Sequence, residues 1–262
     1  MLITRRILLI GTALAASHAV RAHEGRPNTM PVTQHRHVFS SSGKDIAVDT
    51  LQADGLSRPP AVIMLHGADG LSENSQYVEG AQAVARAGYQ VNLVHYLDRT
   101  EENRASFSTV FQNFQPWLDT VNDALAWVAN RTEIDTTRLG IIGISLGAAL
   151  GLAAASADRR IKALVNYFGP LPRGAIAPDA HLPPTLVLHG AMDPIVPVAN
   201  AYAVEALLRQ QEVPHEIQIY PDQGHGFRGE ARDDALLRVI AFLGQYLAGN
   251  GPHPLPGERL DR

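Results

Sequence analysis

The chain alternates between short apolar runs and amphipathic stretches of helical length, and this rhythm is the feature that most constrains its fold. Ala61-Val62-Ile63-Met64-Leu65-His66 is a continuous apolar run of the kind found in strands buried on both faces. A helical stretch over 73–87 follows, closed by Gly88, and 89–94 is the next strand. Residues 114–130 place Trp117, Val121, Leu125 and Val128 at helical spacing. The pattern continues with strand 138–142, helix 148–157, strands 161–167 and 185–189, helix 198–211, strand 216–220 and helix 231–248. Near the start, His37-Val38-Phe39 and Ile46-Ala47-Val48 flank a Ser-Ser-Gly-Lys turn and read as a hairpin. Such alternation calls for an α/β fold with a mostly parallel central sheet flanked by helices. The sequence carries no internal repeat and no interdomain linker. It therefore divides into one domain over 36–248, a linker over 23–35 before it, and a flexible Pro/Gly-rich tail over 249–262.

The first residues have a different character. Arg5 and Arg6 precede an apolar run over 7–16, and Val20-Arg21-Ala22 offers a small-residue cleavage site before His23. Residues 1–22 read as a signal peptide, loosely of twin-arginine type, and imply a periplasmic or secreted protein. The apolar run is shorter than the ~20 residues a spanning helix needs, so no stable membrane insertion is expected after cleavage. With 22 basic and 26 acidic residues the net charge is −4, which argues against a nucleic-acid partner. The chain has no cysteine, which excludes a thiol nucleophile, a disulfide and a cysteine-based zinc site.

The strand over 138–142 and the helix over 148–157 are joined by Gly143-Ile144-Ser145-Leu146-Gly147, a G-x-S-x-G pentapeptide. A strand that turns sharply into a helix through this sequence holds its serine in a strained conformation at a helix N-terminus. A serine hydroxyl needs a base to take its proton, and the base needs an acid to fix its tautomer. In such elbows the chain order is Ser, Asp/Glu, His. Asp193 follows the 185–189 strand in His189-Gly190-Ala191-Met192-Asp193-Pro194, at the strand end where α/β sheets place their sites. Its bland alternative role is to cap the helix that follows. His225 follows the last strand, between two glycines in Gly224-His225-Gly226-Phe227. His189 and His215 also lie near strand ends and read as packed or solvated histidines. The oxyanion hole expected for this chemistry takes the Leu146 N–H and an N–H from the loop after strand 61–66, assigned to Ala68, with Asp69 as the alternative. No metal or organic cofactor is required.

Residues 96–115 form a connection longer than most in α/β folds and hold Tyr96, Arg99, Arg104, Phe107, Phe111 and Phe114. Tyr96, Arg99 and Arg228 are the substrate-binding candidates. The 169–184 connection contains Pro170, Pro172, Pro178, Pro183 and Pro184, which argues against a helical lid. The expectation is a shallow site shaped by 96–115, preferring short acyl groups or small lactones.

Over roughly 36–248 the chain resembles the dienelactone hydrolase family of α/β-hydrolases. The resemblance lies in Ile134-Asp135-Thr136-Thr137-Arg138-Leu139-Gly140 leading into the elbow, in His189-Gly190-Ala191-Met192-Asp193-Pro194-Ile195-Val196-Pro197, and in Gly224-His225-Gly226-Phe227. The last two are shared with prolyl-oligopeptidase-like and acetyl-esterase-like relatives. The family's named members carry a cysteine nucleophile and a glutamate after the first buried strand; this chain has Ser145 and Gly67 there. The resemblance therefore implies a serine esterase on the family's scaffold, acting on small-molecule esters or lactones through an acyl-enzyme. It also allows an arginine of the 96–115 stretch to dock a substrate carboxylate. The rival readings are a prolyl-oligopeptidase-like peptidase or acyl-aminoacyl hydrolase, and a hydrolase-like binding protein that has lost catalysis.

Overall fold

The structure, a computed structural model, describes residues 30–71, 76–106, 108–177 and 179–247. The 1–22 segment read as a signal peptide, most of the 23–35 segment read as a linker, Phe107, Pro178 and residues 249–262 lie outside them. Eight strands form one sheet: β1 (Val32–Ser41), β2 (Lys44–Ala53), β3 (Pro60–Leu65), β4 (Gln90–Val94), β5 (Asp135–Ile144), β6 (Ile161–Tyr167), β7 (Thr185–Gly190) and β8 (His215–Tyr220). Their order is β1-β2-β4-β3-β5-β6-β7-β8. β1 and β2 pair antiparallel, as do β2 and β4; every later pairing is parallel. Five helices connect them: α1 (Gln76–Arg86), α2 (Val110–Ala129), α3 (Leu146–Ala157), α4 (Ala199–Gln210) and α5 (Glu230–Leu247). Among the described residues no helix is long and apolar enough to cross a membrane.

The alternation of side chains along the central strands divides the core into two layers. Ile63, Leu65, Leu139 and Ile141 face α2, α3 and α4 in one layer. Val62, Met64, Ile142 and Val165 face α1 and α5 in the other. Both faces of β3 are fully covered, which is why its sequence shows no polar alternation.

Several boundaries differ from the sequence reading, two of them by enough to matter for the fold. β1 starts at Val32, inside the segment read as a linker, because Val32 to His35 pair with Thr50 to Ala53 of β2 and satisfy that strand's outer backbone groups. α2 starts at Val110, ahead of the 114 read from the spacing of Trp117, Val121, Leu125 and Val128, and carries Pro116 inside it. The hairpin turn falls where expected, at Ser42 and Gly43, both with positive φ. Because β3, β5, β7 and β8 run parallel, the loops that follow them emerge along one edge of the sheet. Ala68, Ser145, Asp193 and His225 each lie just beyond one of those strand ends.

Candidate active site

Ser145 sits between β5 and α3 with φ 54° and ψ −115°, a conformation that L residues rarely adopt. The backbone around it fixes this geometry. Ser145 N–H donates to Tyr167 O at 2.9 Å, and Ser145 O accepts from Ala148 N–H at 3.0 Å and from Ala149 N–H at 3.2 Å. The flanking glycines are required by contact. A Cβ on Gly143 would lie 2.5 Å from Ala148 Cα, and one on Gly147 would lie 2.3 Å from Leu65 O. The turn thus depends on β3 and α3 closing directly onto bare backbone.

Ser145 Oγ lies 2.8 Å from His225 Nε2, and His225 Nδ1 lies 2.7 Å from Asp193 Oδ2. A carboxylate only accepts, so the neutral imidazole carries its proton on Nδ1 and turns the Nε2 lone pair to the serine hydroxyl. Asp193 uses its other oxygen differently. Its Oδ1 accepts from the Ile195 and Val196 N–H groups at 2.8 and 2.9 Å. That bond ties the loop ahead of α4; the residue capping α4 is Val198, not Asp193. The Asp193 and His225 loops are joined by Ala191 N–H to Tyr220 O at 2.8 Å and Met192 N–H to Gln223 O at 3.0 Å. Gly190 allows this approach, since a Cβ there would lie 2.3 Å from Gln223 O.

His189 is buried behind the acid. Its Nε2–H donates to Val196 O at 2.8 Å, and it lies 3.5 Å from Asp193 Oδ2. Burial lowers its pKa, which keeps the ring neutral beside Asp193. His215 is half-buried on Val213 O at 2.7 Å, so both histidines take packed roles.

The loop after β3 is held from every side. Tyr96 O–H donates to His66 O at 2.8 Å, His66 Nδ1–H donates to Gly67 O at 2.7 Å, and Ala105 N–H donates to Ala68 O at 2.8 Å. Gly67 N–H donates to Tyr77 Oη at 3.0 Å, and Tyr77 O–H donates to Asp69 Oδ1 at 2.5 Å. Burial and the Asp69 bond push the Tyr77 phenol well above its ordinary range, so it stays a donor. Among the described residues, the N–H groups of Ala68 and Leu146 meet no acceptor. Both residues line the cavity that Ser145 and His225 face. Asp69 lines it too, with its carboxylate committed to Tyr77.

The substrate-side candidates need correction. Tyr96 is fully buried, stacked on His66 with ring centroids 4.2 Å apart, and does not reach the cavity. Arg99 does not line the cavity, and Arg228 is exposed outside it. From the 96–115 connection, Arg104, Val110, Phe111 and Phe114 do line it. The cleft that Ser145 and His225 line has a volume of about 1450 Å³. The 169–184 connection has no helix among its described residues, but Pro170, Leu171, Pro172 and Arg173 form part of the wall. Two residues absent from the sequence reading support the site: Tyr77, which holds the Gly67 amide, and Phe168, whose ring centroid lies 4.7 Å from that of His225.

The sequence matches the dienelactone hydrolase family over residues 48–247. The chain belongs to that family. Among curated relatives, a putative carboxymethylenebutenolidase of Escherichia coli O157:H7 is 29% identical over 142 residues, covering 47% of this chain and 52% of that protein. The chain thus spans about half the length of the first curated relatives it matches. A putative carboxymethylenebutenolidase of Yersinia pestis is 24% identical over 244 residues, 83% of this chain and 90% of the relative. Among solved structures, a putative dienelactone hydrolase from Klebsiella pneumoniae superposes with a TM-score of 0.71 at 21% identity, covering 82% of this chain and 100% of its own. An acylaminoacyl peptidase from Pyrococcus horikoshii superposes at 0.70 with 15% identity, covering 84% of this chain and 42% of the peptidase. These likenesses establish the α/β-hydrolase fold for this family member.

Proposed function

We propose that this dienelactone hydrolase family member is a serine hydrolase that cleaves carboxylic esters or lactones of small molecules through an acyl-enzyme. The observation that carries the reading is the unbroken line Ser145 Oγ, His225 Nε2, His225 Nδ1, Asp193 Oδ2, with neighbouring contacts of 2.8 and 2.7 Å. Ser145 Oγ attacks the carbonyl carbon as His225 Nε2 takes its proton. Asp193 stabilises the imidazolium that forms. The carbonyl oxygen becomes an oxyanion between the Ala68 and Leu146 N–H groups, which meet no acceptor among the described residues. His225 returns the proton to the leaving alcohol oxygen as the C–O bond breaks. Water, deprotonated by His225, then releases the acid and regenerates Ser145.

Ser145→Ala should fold normally and lose about 10⁴-fold or more in hydrolysis of a nitrophenyl ester, because no acyl-enzyme can form. An organophosphonate should label Ser145 alone, as read by peptide mass mapping. Label on another serine, or full turnover by the variant, defeats the assignment. A peptidase reading draws on the likeness to the acylaminoacyl peptidase, and a panel of esters, lactones and acyl-peptides separates it from the esterase reading.

Export belongs to the same proposal, supported by the 1–22 pattern of Arg5, Arg6, an apolar run and Val20-Arg21-Ala22. The protein recovered from its host should begin near His23 and lie outside the cytoplasm. An intact N-terminus on cytoplasmic protein, measured by mass spectrometry, rules it out.

A further inference from the structure

The turn that ends β6 touches both the nucleophile and the base. Tyr167 O accepts the Ser145 N–H at 2.9 Å. The next residue, Phe168, is buried at the cleft and packs its ring on His225, with centroids 4.7 Å apart and an interplanar angle of 58°. Phe227 meets the Phe168 ring edge-on at 5.4 Å and backs it from another side.

Phe168 holds φ at 38°, a left-handed conformation that bulky L residues rarely adopt. Its neighbours impose this. Phe168 N–H donates to Leu188 O at 2.7 Å, and Gly169 N–H donates to Asn166 Oδ1 at 3.0 Å. Gly169 is pressed against α3, where a Cβ would lie 2.3 Å from Ala148 Cβ. Asn166 is fully buried, and among the described residues its Nδ2 meets no acceptor. A buried amide with an unmatched NH₂ is a cost to the core. The bond that its oxygen makes to the turn offsets that cost. Both the strained φ and the buried amide thus act where the chain delivers the Phe168 ring to His225.

The use of that ring follows from what holds His225 in each half of the reaction. Before acylation both imidazole nitrogens are tied, Nδ1 to Asp193 and Nε2 to the Ser145 hydroxyl. Acylation turns Ser145 Oγ into an ester oxygen with no proton, so Nε2 loses its donor. The Asp193 bond alone would leave the imidazole free to swing. Deacylation needs it in line: water attacks the acyl carbon as its proton passes to Nε2, and that proton goes on to Ser145 Oγ as the ester bond breaks.

We propose that Phe168, braced by Asn166, is a positioning residue that holds His225 in line during deacylation. The proposal rests on the reading of Ser145 as nucleophile. The packed ring blocks the swing by contact. Its loss therefore weakens the water step more than the attack by Ser145, whose own hydrogen bond to His225 sets the geometry of that attack.

The test is hydrolysis of nitrophenyl acetate by the full protein, followed from the first turnover. Nitrophenolate leaves readily, so the water step limits kcat, whereas kcat/KM reports acylation alone. Phe168→Ala should keep kcat/KM within about threefold of wild type and lower kcat about thirtyfold or more, the scale of a misplaced base. KM falls with kcat, a nitrophenol burst precedes the slow phase, and mass spectrometry finds the acetyl group on Ser145. Phe168→Leu, which keeps apolar volume without the flat ring, makes the same measurement should Phe168→Ala fail to fold, with an expected loss of about tenfold in kcat. A folded variant whose kcat stays within about threefold of wild type overturns the proposal. So does one whose kcat/KM falls as far as its kcat, because that is the mark of a site disturbed as a whole. Failure of the nucleophile reading is seen separately, as ester turnover that survives Ser145→Ala.

Discussion

Asp193 shows how much a single side chain can be asked to do. One oxygen ties the 195–196 backbone ahead of α4 and the other faces His225. Asp193→Asn separates them. The amide oxygen can keep the two backbone N–H groups, while its NH₂ faces His225 Nδ1 and turns that nitrogen into an acceptor. The ring proton then moves to Nε2 and points at Ser145 Oγ, so the base is lost. Turnover should fall about 10⁴-fold with a thermal midpoint within a few degrees of wild type. Unfolding of the variant with normal activity per folded molecule would reduce Asp193 to a loop tie. At this scale the sequence was readable wherever a residue sits beside a strand end in a recognisable order, as for Ser145, Asp193 and His225. Tyr77 and Phe168 carried no such signal, because their partners lie in other elements. Tyr96 misled for a related reason: it opens a short 3-10 turn, and nothing in the local pattern says that its ring turns inward onto His66.

At the scale of elements, the strands and helices were legible because two-face burial writes itself into continuous apolar runs. Ends were less so. The pairing that makes Val32 to His35 a strand is supplied by β2, and that segment on its own is mostly polar. The site's walls were the least legible feature. Prolines in the 169–184 connection did forbid a helix, but a non-helical segment can still line a cleft, and Pro170 and Pro172 do.

For the molecule as a whole, the buried histidine at the end of β3 makes stability depend on pH. Burial lowers His66 to about 4 from its ordinary 6.5. Below about 6.5 the unfolded chain binds a proton at this site that the folded chain refuses, so stability falls as pH drops toward about 4. Below that both states are protonated, and this group adds no further loss. The shift corresponds to at most about 3 kcal/mol. His189 and His37, also lowered by burial, act in the same direction. Carboxylates act in a lower window. Asp135, brought to about 2 chiefly by Thr137 and Arg138, withdraws its contribution only as pH falls from about 4 toward 2. Urea midpoints measured from pH 7 to pH 4 should therefore decline before the carboxylates titrate. His66→Gln keeps a donor for Gly67 O and carries no titrating ring. It should start less stable at pH 7 and decline less steeply over the same range, with a residual slope from His189 and His37. A variant whose slope matches wild type would mean that His66 accepts its proton without unfolding and that the buried, neutral ring does not govern acid stability.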